Sequence, residues 1–317
     1  MLTLSGGREF SRIAAIVEAL GDRGEGIGDD CAELPRGEHP ALWTIDTQVE
    51  GVHFRREWLS WRDVGFRATV AAASDVLAMG GVVERIVVGW TIPACEEAAS
   101  DEWLLEIAKG QREACIALDA KIVGGNLSAG PSLSLTTSVL GSAARSVRRT
   151  GARIGDRIVM AGPVGHAAAG LAWLQRGLDE RDGERWVAAW RRPPVLRSAS
   201  RFIAAHAHAG IDVSDGLAQD VGHLAEASQV RVELDGAAIE RASFAASERA
   251  RLEAEGLDPM ALSLGGGEDY ALVAAVGEDV PIPQEFVEIG KVVAGAGVAV
   301  VRADGTAYPP PRGFSHR

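Results

Sequence analysis

Six short segments carry the residue types that handle metal ions and phosphates. They are Gly24-Glu25-Gly26-Ile27-Gly28-Asp29-Asp30; Asp46-Thr47 with Glu50-Gly51-Val52-His53 just beyond; Ala73-Ser74-Asp75 running on to Met79-Gly80; Gly124-Gly125-Asn126; Asp212-Val213-Ser214-Asp215-Gly216 with Asp220 one turn later; and Gly265-Gly266-Gly267-Glu268-Asp269-Tyr270. Each has an ordinary reading: Gly and Asp are turn residues, Ser214 or Asp215 suits a helix N-cap, and three glycines suit a hairpin. Asp75 resists that treatment, because a carboxylate inside an apolar helix is costly unless it is paired or coordinates a metal. Taken together, the segments put oxygen ligands after several strands, beside glycines that let backbone approach a ligand. Oxygen-only clusters suit Mg²⁺ rather than zinc, and Mg²⁺ is commonly held by a few carboxylates plus substrate phosphates. The third glycine of a dinucleotide fingerprint would fall on Asp29, and no Gly-Lys-Ser/Thr occurs. The residues therefore point to metal-dependent chemistry on a phosphorylated ligand without a P-loop.

The elements that must position these groups alternate between strand and helix patterns. Ala41–Thr47 reads as a strand carrying Asp46 near its end, and Trp61–Gly80 as an Ala-rich helix stopped by Gly80-Gly81. Arg85–Ile92 is a β-branched strand. Ser100 and Asp101 are candidate caps of a helix to about Leu118. Lys121–Val123 reads as a short strand that ends at Gly124-Gly125. Ser132–Leu140 puts Leu133, Leu135, Thr137 and Val139 on one face. After a basic connection, 145–156, come strand 157–161, helix 165–175, strand end 211–213, helix 216–227, strands 231–234 and 270–276, and two short strands around a glycine turn in 287–301. The domain boundary is placed near residue 148, giving units 1–148 and 149–317. Periodicity leaves the class at α/β or α+β with mixed sheets. Trp58, Trp61, Trp103, Trp173, Trp186 and Trp190 are read as core residues of helical stretches.

Composition narrows the partners. The chain has 317 residues, 32 Lys+Arg against 44 Asp+Glu, and 47% hydrophobic residues, which is ordinary globular content. A net charge of −12 argues against nucleic acid or an anionic membrane. Three unclustered cysteines argue against a disulfide framework or a zinc site. Met1–Phe10 has no apolar signal region, and Val292–Val301 is too short for a membrane span. A cytoplasmic protein is expected.

In order and nearly end to end, the motifs resemble the bacterial thiamine-monophosphate kinases, members of the aminoimidazole ribonucleotide synthetase-like superfamily. The resemblance is carried by Glu9-Phe10, Gly26–Asp30, Asp46–Phe54, Ser74-Asp75 through Met79-Gly80, Arg149-Thr150-Gly151-Ala152 with Gly155-Asp156, Asp212–Asp220 and Gly266–Tyr270. It implies two α/β domains, with mixed sheets packed by helices, and a homodimer whose N-terminal sheets pair into a barrel. It implies direct transfer of the γ-phosphate of ATP to thiamine monophosphate, giving thiamine diphosphate, with several Mg²⁺ ions and no side-chain nucleophile. By the same resemblance Asp29, Asp30, Thr44, Asp46, Asp75, Asp212 and Asp215 surround the metals, with Asn126 at a further metal position. Gly125, Asn126, Arg149 and Ser214 would contact ATP. His53, Glu268 and Phe314 would contact the thiamine phosphate. The chain departs from the pattern in several places. Asn126-Leu127 stands for the usual Asp-Thr, which implies a weaker metal site, since an amide oxygen brings no charge. Ile45 replaces a hydroxyl residue before Asp46, Ala72 and Ala73 stand where an Asn precedes Ser-Asp, the Arg192-Pro193 segment is shortened, and the end reads Ser315-His316-Arg317. These departures keep two alternatives open: an enzyme of the same fold acting on another small acceptor, and a weakly active nucleotide binder.

Overall fold

The computed structural model describes residues 29–34, 39–93, 102–302, 304–309, 311 and 313. Glu9-Phe10, Gly24–Gly28, Ser100-Asp101 and Phe314 lie outside the described residues. The first half forms β1 (Ala32–Leu34), β2 (Ala41–Val49), α1 (Trp61–Ala78), β3 (Val82–Pro93), α2 (Glu102–Leu118), β4 (Lys121–Gly130) and β5 (Ser134–Ser142). The strands make a mixed sheet in the order β1-β2-β5-β3-β4, with only β3 and β4 parallel. The second half contributes β6 (Arg157–Ala161), α3 (His166–Gln175), α4 (Glu184–Arg191), α5 (Arg197–His206), β7 (Ala207–Val213), α6 (Leu217–Ser228), β8 (Arg231–Asp235), α7 (Gly236–Ser243), α8 (Ala246–Ala254), α9 (Pro259–Gly265), β9 (Ala271–Val276), β10 (Phe286–Val293), β11 (Gly297–Val301) and β12 (Ala307–Tyr308). Its strands form a second mixed sheet, β12-β11-β8-β10-β6-β9-β7. The two-sheet, helix-packed architecture agrees with the mixed α/β expectation. None of the described helices is long and apolar enough to cross a membrane.

α1 is the hinge of the arrangement. It is apolar on all sides, and a helix of that kind belongs in a core. Every residue from Val64 to Ala78 is buried except Asp75. One side of α1 packs on β2 and β5, the other on β7, β9 and α5, so it joins the two sheets. α2 lies against it closely enough that a Cβ at Gly65 would fall 2.0 Å from the Ile107 carbonyl oxygen, and one at Gly110 would fall 1.8 Å from that of Arg62. Glycine at both positions lets the two backbones touch.

Register then sorts the first sheet into two faces. Leu42, Thr44, Asp46 and Gln48 pair with Gly141, Val139, Thr137 and Leu135, the buried alternation of β5 that the sequence pattern predicts. Trp43 and Ile45 point the other way and are 52% and 65% exposed. β4 differs from the expected short strand. It does not stop at Gly124-Gly125 but runs to Gly130, because β3 offers a parallel template from Arg85 to Pro93, with one register shift between Ile86 and Val87. A Cβ at Gly125 would stand 2.2 Å from the Val88 carbonyl oxygen, so glycine is required inside the strand rather than after it.

Candidate active site

Three carboxylates meet where the two sheets converge on α1. Asp30 arrives from the segment before β1, Asp75 from the late turns of α1, and Asp212 from the penultimate residue of β7. Each offers an oxygen within 4.8 Å of the others. Their neighbours fix the orientations: Thr44 Oγ1 donates to Asp75 Oδ2 at 2.6 Å, and Ser74 Oγ donates to Asp212 Oδ2 at 2.5 Å. Arg149 Nε donates to Asp30 Oδ1 at 2.8 Å and its Nη2 joins the same oxygen. The Arg149 backbone N–H donates to Asp29. Asp30 Oδ2 is fully buried and has no hydrogen-bond partner among the described residues.

The electrostatics follow from burial. Burial, then the charges of Asp212 and Asp30, push Asp75 well above the usual carboxylate range. Burial and Asp30 push Asp212 up to about 7. Asp30 also rises through burial, although Arg149 opposes the rise. Three acids share one guanidinium and so retain protons in the metal-free site, and one of their oxygens is orphaned. Oxygen ligands and convergence both fit a Mg²⁺-type ion.

A cavity of about 600 Å³ opens beside the trio, within the range of small-molecule sites. Asp46, His53, Asp75, Asp212, Ser214, Asp215 and Glu268 all line it. Asp46 sits on the inner face of β2, where its carboxylate accepts from the Thr47 N–H at 2.7 Å. His53 Nδ1 accepts from the Val49 N–H at 3.0 Å. Asp215 Oδ2 accepts from Gln219 Nε2 at 3.1 Å. Gly313 comes against this turn; a Cβ there would be 2.7 Å from the Asp215 carbonyl oxygen. Asn126 is not brought to the trio. It lies on the exposed strand β4, in register with Gly89, Thr136 and Thr47 on the sheet's open face, about 14 Å from Thr47 at one strand spacing per step.

Two local details correct the sequence reading. Neither Ser214 nor Asp215 caps α6. The N-cap is Gly216, and the Asp220 carboxylate reaches back to accept from the N–H groups of Ser214, Asp215 and Gly216 at 3.0–3.1 Å. The Gly265–Tyr270 segment is not a loose hairpin. Glu268 and Tyr270 both hold left-handed backbone angles, φ 68° and 50°. Between them Asp269 accepts from the N–H groups of Gly165 and Ala167 at 2.6 and 2.8 Å, which fastens the loop to the start of α3. A Cβ at Gly267 would lie 2.3 Å from the Ser214 carbonyl oxygen, so the two turns need glycine to pack.

Sequence reasoning missed the partners of Glu268. Its carboxylate accepts from Trp190 Nε1 at 2.9 Å and from Arg67 Nη2, and Arg67 is only 1% exposed. Arg67, set within the apolar stretch Phe66–Ala73 of α1, was the available signal. Trp58 was read as helical core; it stands in a turn before α1, half-buried, and lines the cavity with Trp190.

Comparison with known proteins places the chain. The AIR synthase related protein N-terminal domain model matches residues 28–143, and the C-terminal domain model matches residues 153–302. A thiamine-monophosphate kinase of Mycobacterium tuberculosis is 36% identical over 89% of this chain and 84% of its own length. That of Aquifex aeolicus is 32% identical over 97% of both. Among solved structures, the complex of AaThiL with AMPPCP and TMP superposes with a TM-score of 0.89 at 30% identity, covering 100% of this chain and 99% of that one.

Proposed function

The chain belongs to the thiamine-monophosphate kinase family, and we propose that it phosphorylates thiamine monophosphate to thiamine diphosphate with ATP and Mg²⁺. The observation that carries the reading is the converging trio Asp30, Asp75 and Asp212, with the orphaned Asp30 oxygen, at the edge of a ligand-sized cavity. The relative solved with AMPPCP and TMP supports the choice of both substrates.

In this reading the trio holds Mg²⁺, with Asp29, Thr44, Asp46 and Asp215 completing the oxygen shell. Bound there, the ions would neutralise charge on the phosphates as the phosphoryl group transfers in line. The acceptor oxygen is already ionised, so the chain needs to supply no general base and no nucleophile. Its side chains position. Arg149 holds Asp30 and adds a guanidinium for the nucleotide phosphates, and Ser214 and Gly125 are assigned to the nucleotide. His53 and Glu268 face the acceptor, with Phe314 assigned to its ring. Asn126 is assigned to the nucleotide side of a further metal position.

The same reading has a second copy covering the open face of the first sheet, where Trp43, Ile45 and Val87 stand 52%, 65% and 43% exposed. Cytoplasmic location fits the free, buried Cys31 and Cys115. The domains are taken as 1–148 and 149–317. The test is formation of thiamine diphosphate from thiamine monophosphate and ATP across a Mg²⁺ titration, with light scattering for the dimer. Turnover that vanishes on chelation supports the reading. No turnover at any Mg²⁺ concentration, with ATP still bound, refutes it.

A further inference from the structure

A chain of packed side chains, Arg67, Trp190, Trp58 and Arg55, runs behind and along one wall of the cavity. It begins at the chemical end. The Glu268 N–H donates to the Ser214 carbonyl at 2.8 Å, which ties the Glu268 loop to the turn following Asp212. The Glu268 carboxylate holds Trp190 and Arg67, and the Arg67 guanidinium also lies 4.8 Å from the Trp190 ring centroid. Trp190 meets Trp58 edge to face, with centroids 6.1 Å apart at 71°. Arg55 then covers Trp58 from 5.1 Å. The inner members are buried, Arg67 and Trp190 each at 1% exposure. The outer members are not: Trp58 is half-buried and Arg55 exposed. Arg55, Trp58 and Trp190 all line the cavity.

The outer pair has the character of a placeholder. Among the described residues Arg55 makes no ion pair, and its guanidinium rests on the Trp58 ring alone. A solvated cation on an indole face is weakly held, whereas a flat cation desolvated by a cavity is held more strongly on the same face. A core tryptophan would present that face to aliphatic groups. Here Trp58 lines the cavity with an exposed arginine over its ring, one tryptophan away from Glu268.

We propose that Trp58 is the platform for the positively charged ring of the acceptor, and that Arg55 occupies the ring face until the acceptor displaces it. The inference rests on the thiamine monophosphate reading above and deepens it, since the thiazolium of that acceptor carries a permanent positive charge. Trp58 would then set specificity for a cationic heterocycle without touching the phosphates. Trp190, pinned by Glu268 and Arg67, fixes the angle of the platform.

The test is steady-state kinetics at saturating Mg²⁺ for the wild type, Trp58→Phe, Trp58→Ala and Arg55→Ala. Two acceptors are used: thiamine monophosphate and its neutral analogue with thiophene in place of thiazolium. Trp58→Ala is expected to raise KM for thiamine monophosphate about tenfold, with kcat and the KM for ATP changed less than about twofold, and Trp58→Phe to recover most of the loss. The wild type is expected to prefer the charged acceptor, and Trp58→Ala to lose that preference. Arg55→Ala is expected to lower the acceptor KM by roughly two- to threefold, because the face is then free. An unchanged KM in Trp58→Ala overturns the proposal, as does an unchanged preference for charge. A raised KM in Arg55→Ala also overturns it, by making Arg55 a phosphate ligand instead of a placeholder. A wild type that turns over no thiamine monophosphate fails the kinase reading before any variant is compared, and the proposal falls with it.

Discussion

Replacing Asp212 with asparagine is expected to make the metal-free protein more stable while removing its activity. Asp212 is 3% exposed, shares its surroundings with Asp30 and Asp75, and titrates at about 7. Its usual value is 3.8, and each pKa unit is about 1.4 kcal/mol, so full ionisation in the metal-free fold costs roughly 4 kcal/mol. The sign follows from linkage. The folded state holds a proton that the unfolded chain has released, so stability is present at low pH and is lost as pH rises from about 4 to about 7. Asparagine avoids the loss. Its carbonyl still accepts the Ser74 hydroxyl, and its amide can donate to the adjacent carboxylates. Part of the gain is forfeited to imperfect geometry, and about 1–2 kcal/mol is expected to remain, a rise in Tm of roughly 2–4 °C for a chain of this size. The assay is thermal denaturation in chelator at pH 5 and pH 8, repeated with Mg²⁺. The variant should fall roughly 1 kcal/mol below the wild type at pH 5, where only part of the ionisation cost applies, exceed it at pH 8, and lose most of the Mg²⁺-induced stabilisation. Turnover should fall about 100-fold or more. A metal-free variant less stable than the wild type at pH 8, with its Mg²⁺ response intact, would show Asp212 to be a structural acceptor and would refute the assignment of the trio.

Three further outcomes are expected. Asp220→Ala strands the N–H groups of Ser214, Asp215 and Gly216 and should cost about 3 kcal/mol in urea unfolding, while Asp220→Asn, which keeps an acceptor, should cost less than half of that. Arg67→Met leaves Glu268, 24% exposed, without its charge partner and should cost roughly 3 kcal/mol; adding Glu268→Gln should restore more than half, and a strictly additive double variant would deny the coupling. Gly125→Ala forces a Cβ to within 2.2 Å of the Val88 carbonyl oxygen, whereas Gly124→Ala meets nothing nearer than 3.8 Å; the first should lower Tm by several degrees and the second should not, on the scale of overpacking costs of about 1–3 kcal/mol.

How far the site could be read from sequence depended on whether the decisive cost was local. Asp75 was legible because a carboxylate flanked by Ala, Val and Leu is expensive in any fold, and that cost is written in the neighbouring residues. Asp30 and Asp212 were legible more weakly, as acids beside strands, and what makes them one site is that α1 is buried against both sheets at once. The same all-round burial hid Arg67. With no polar face to orient the helix, the pattern could not say that Arg67 points at a loop 201 residues away. The extent of β4 was hidden for a different reason. Gly124-Gly125 is a turn signal in isolation, but the pairing partner β3 outbids a local preference worth only about 1 kcal/mol per glycine. The lost helix cap is the same lesson at shorter range. Ser214 and Asp215 have the right chemistry for a cap, yet Asp220 collects all three N–H groups and leaves the side chains of both residues on the cavity wall. A cap made by Ser214 or Asp215 would have spent on the helix the oxygens that the proposed nucleotide and metal need. Asp220 is therefore a residue whose role is to keep its neighbours available, and loss of activity in Asp220→Asn beyond its small loss of stability is the observation that would separate that role from simple support of the turn.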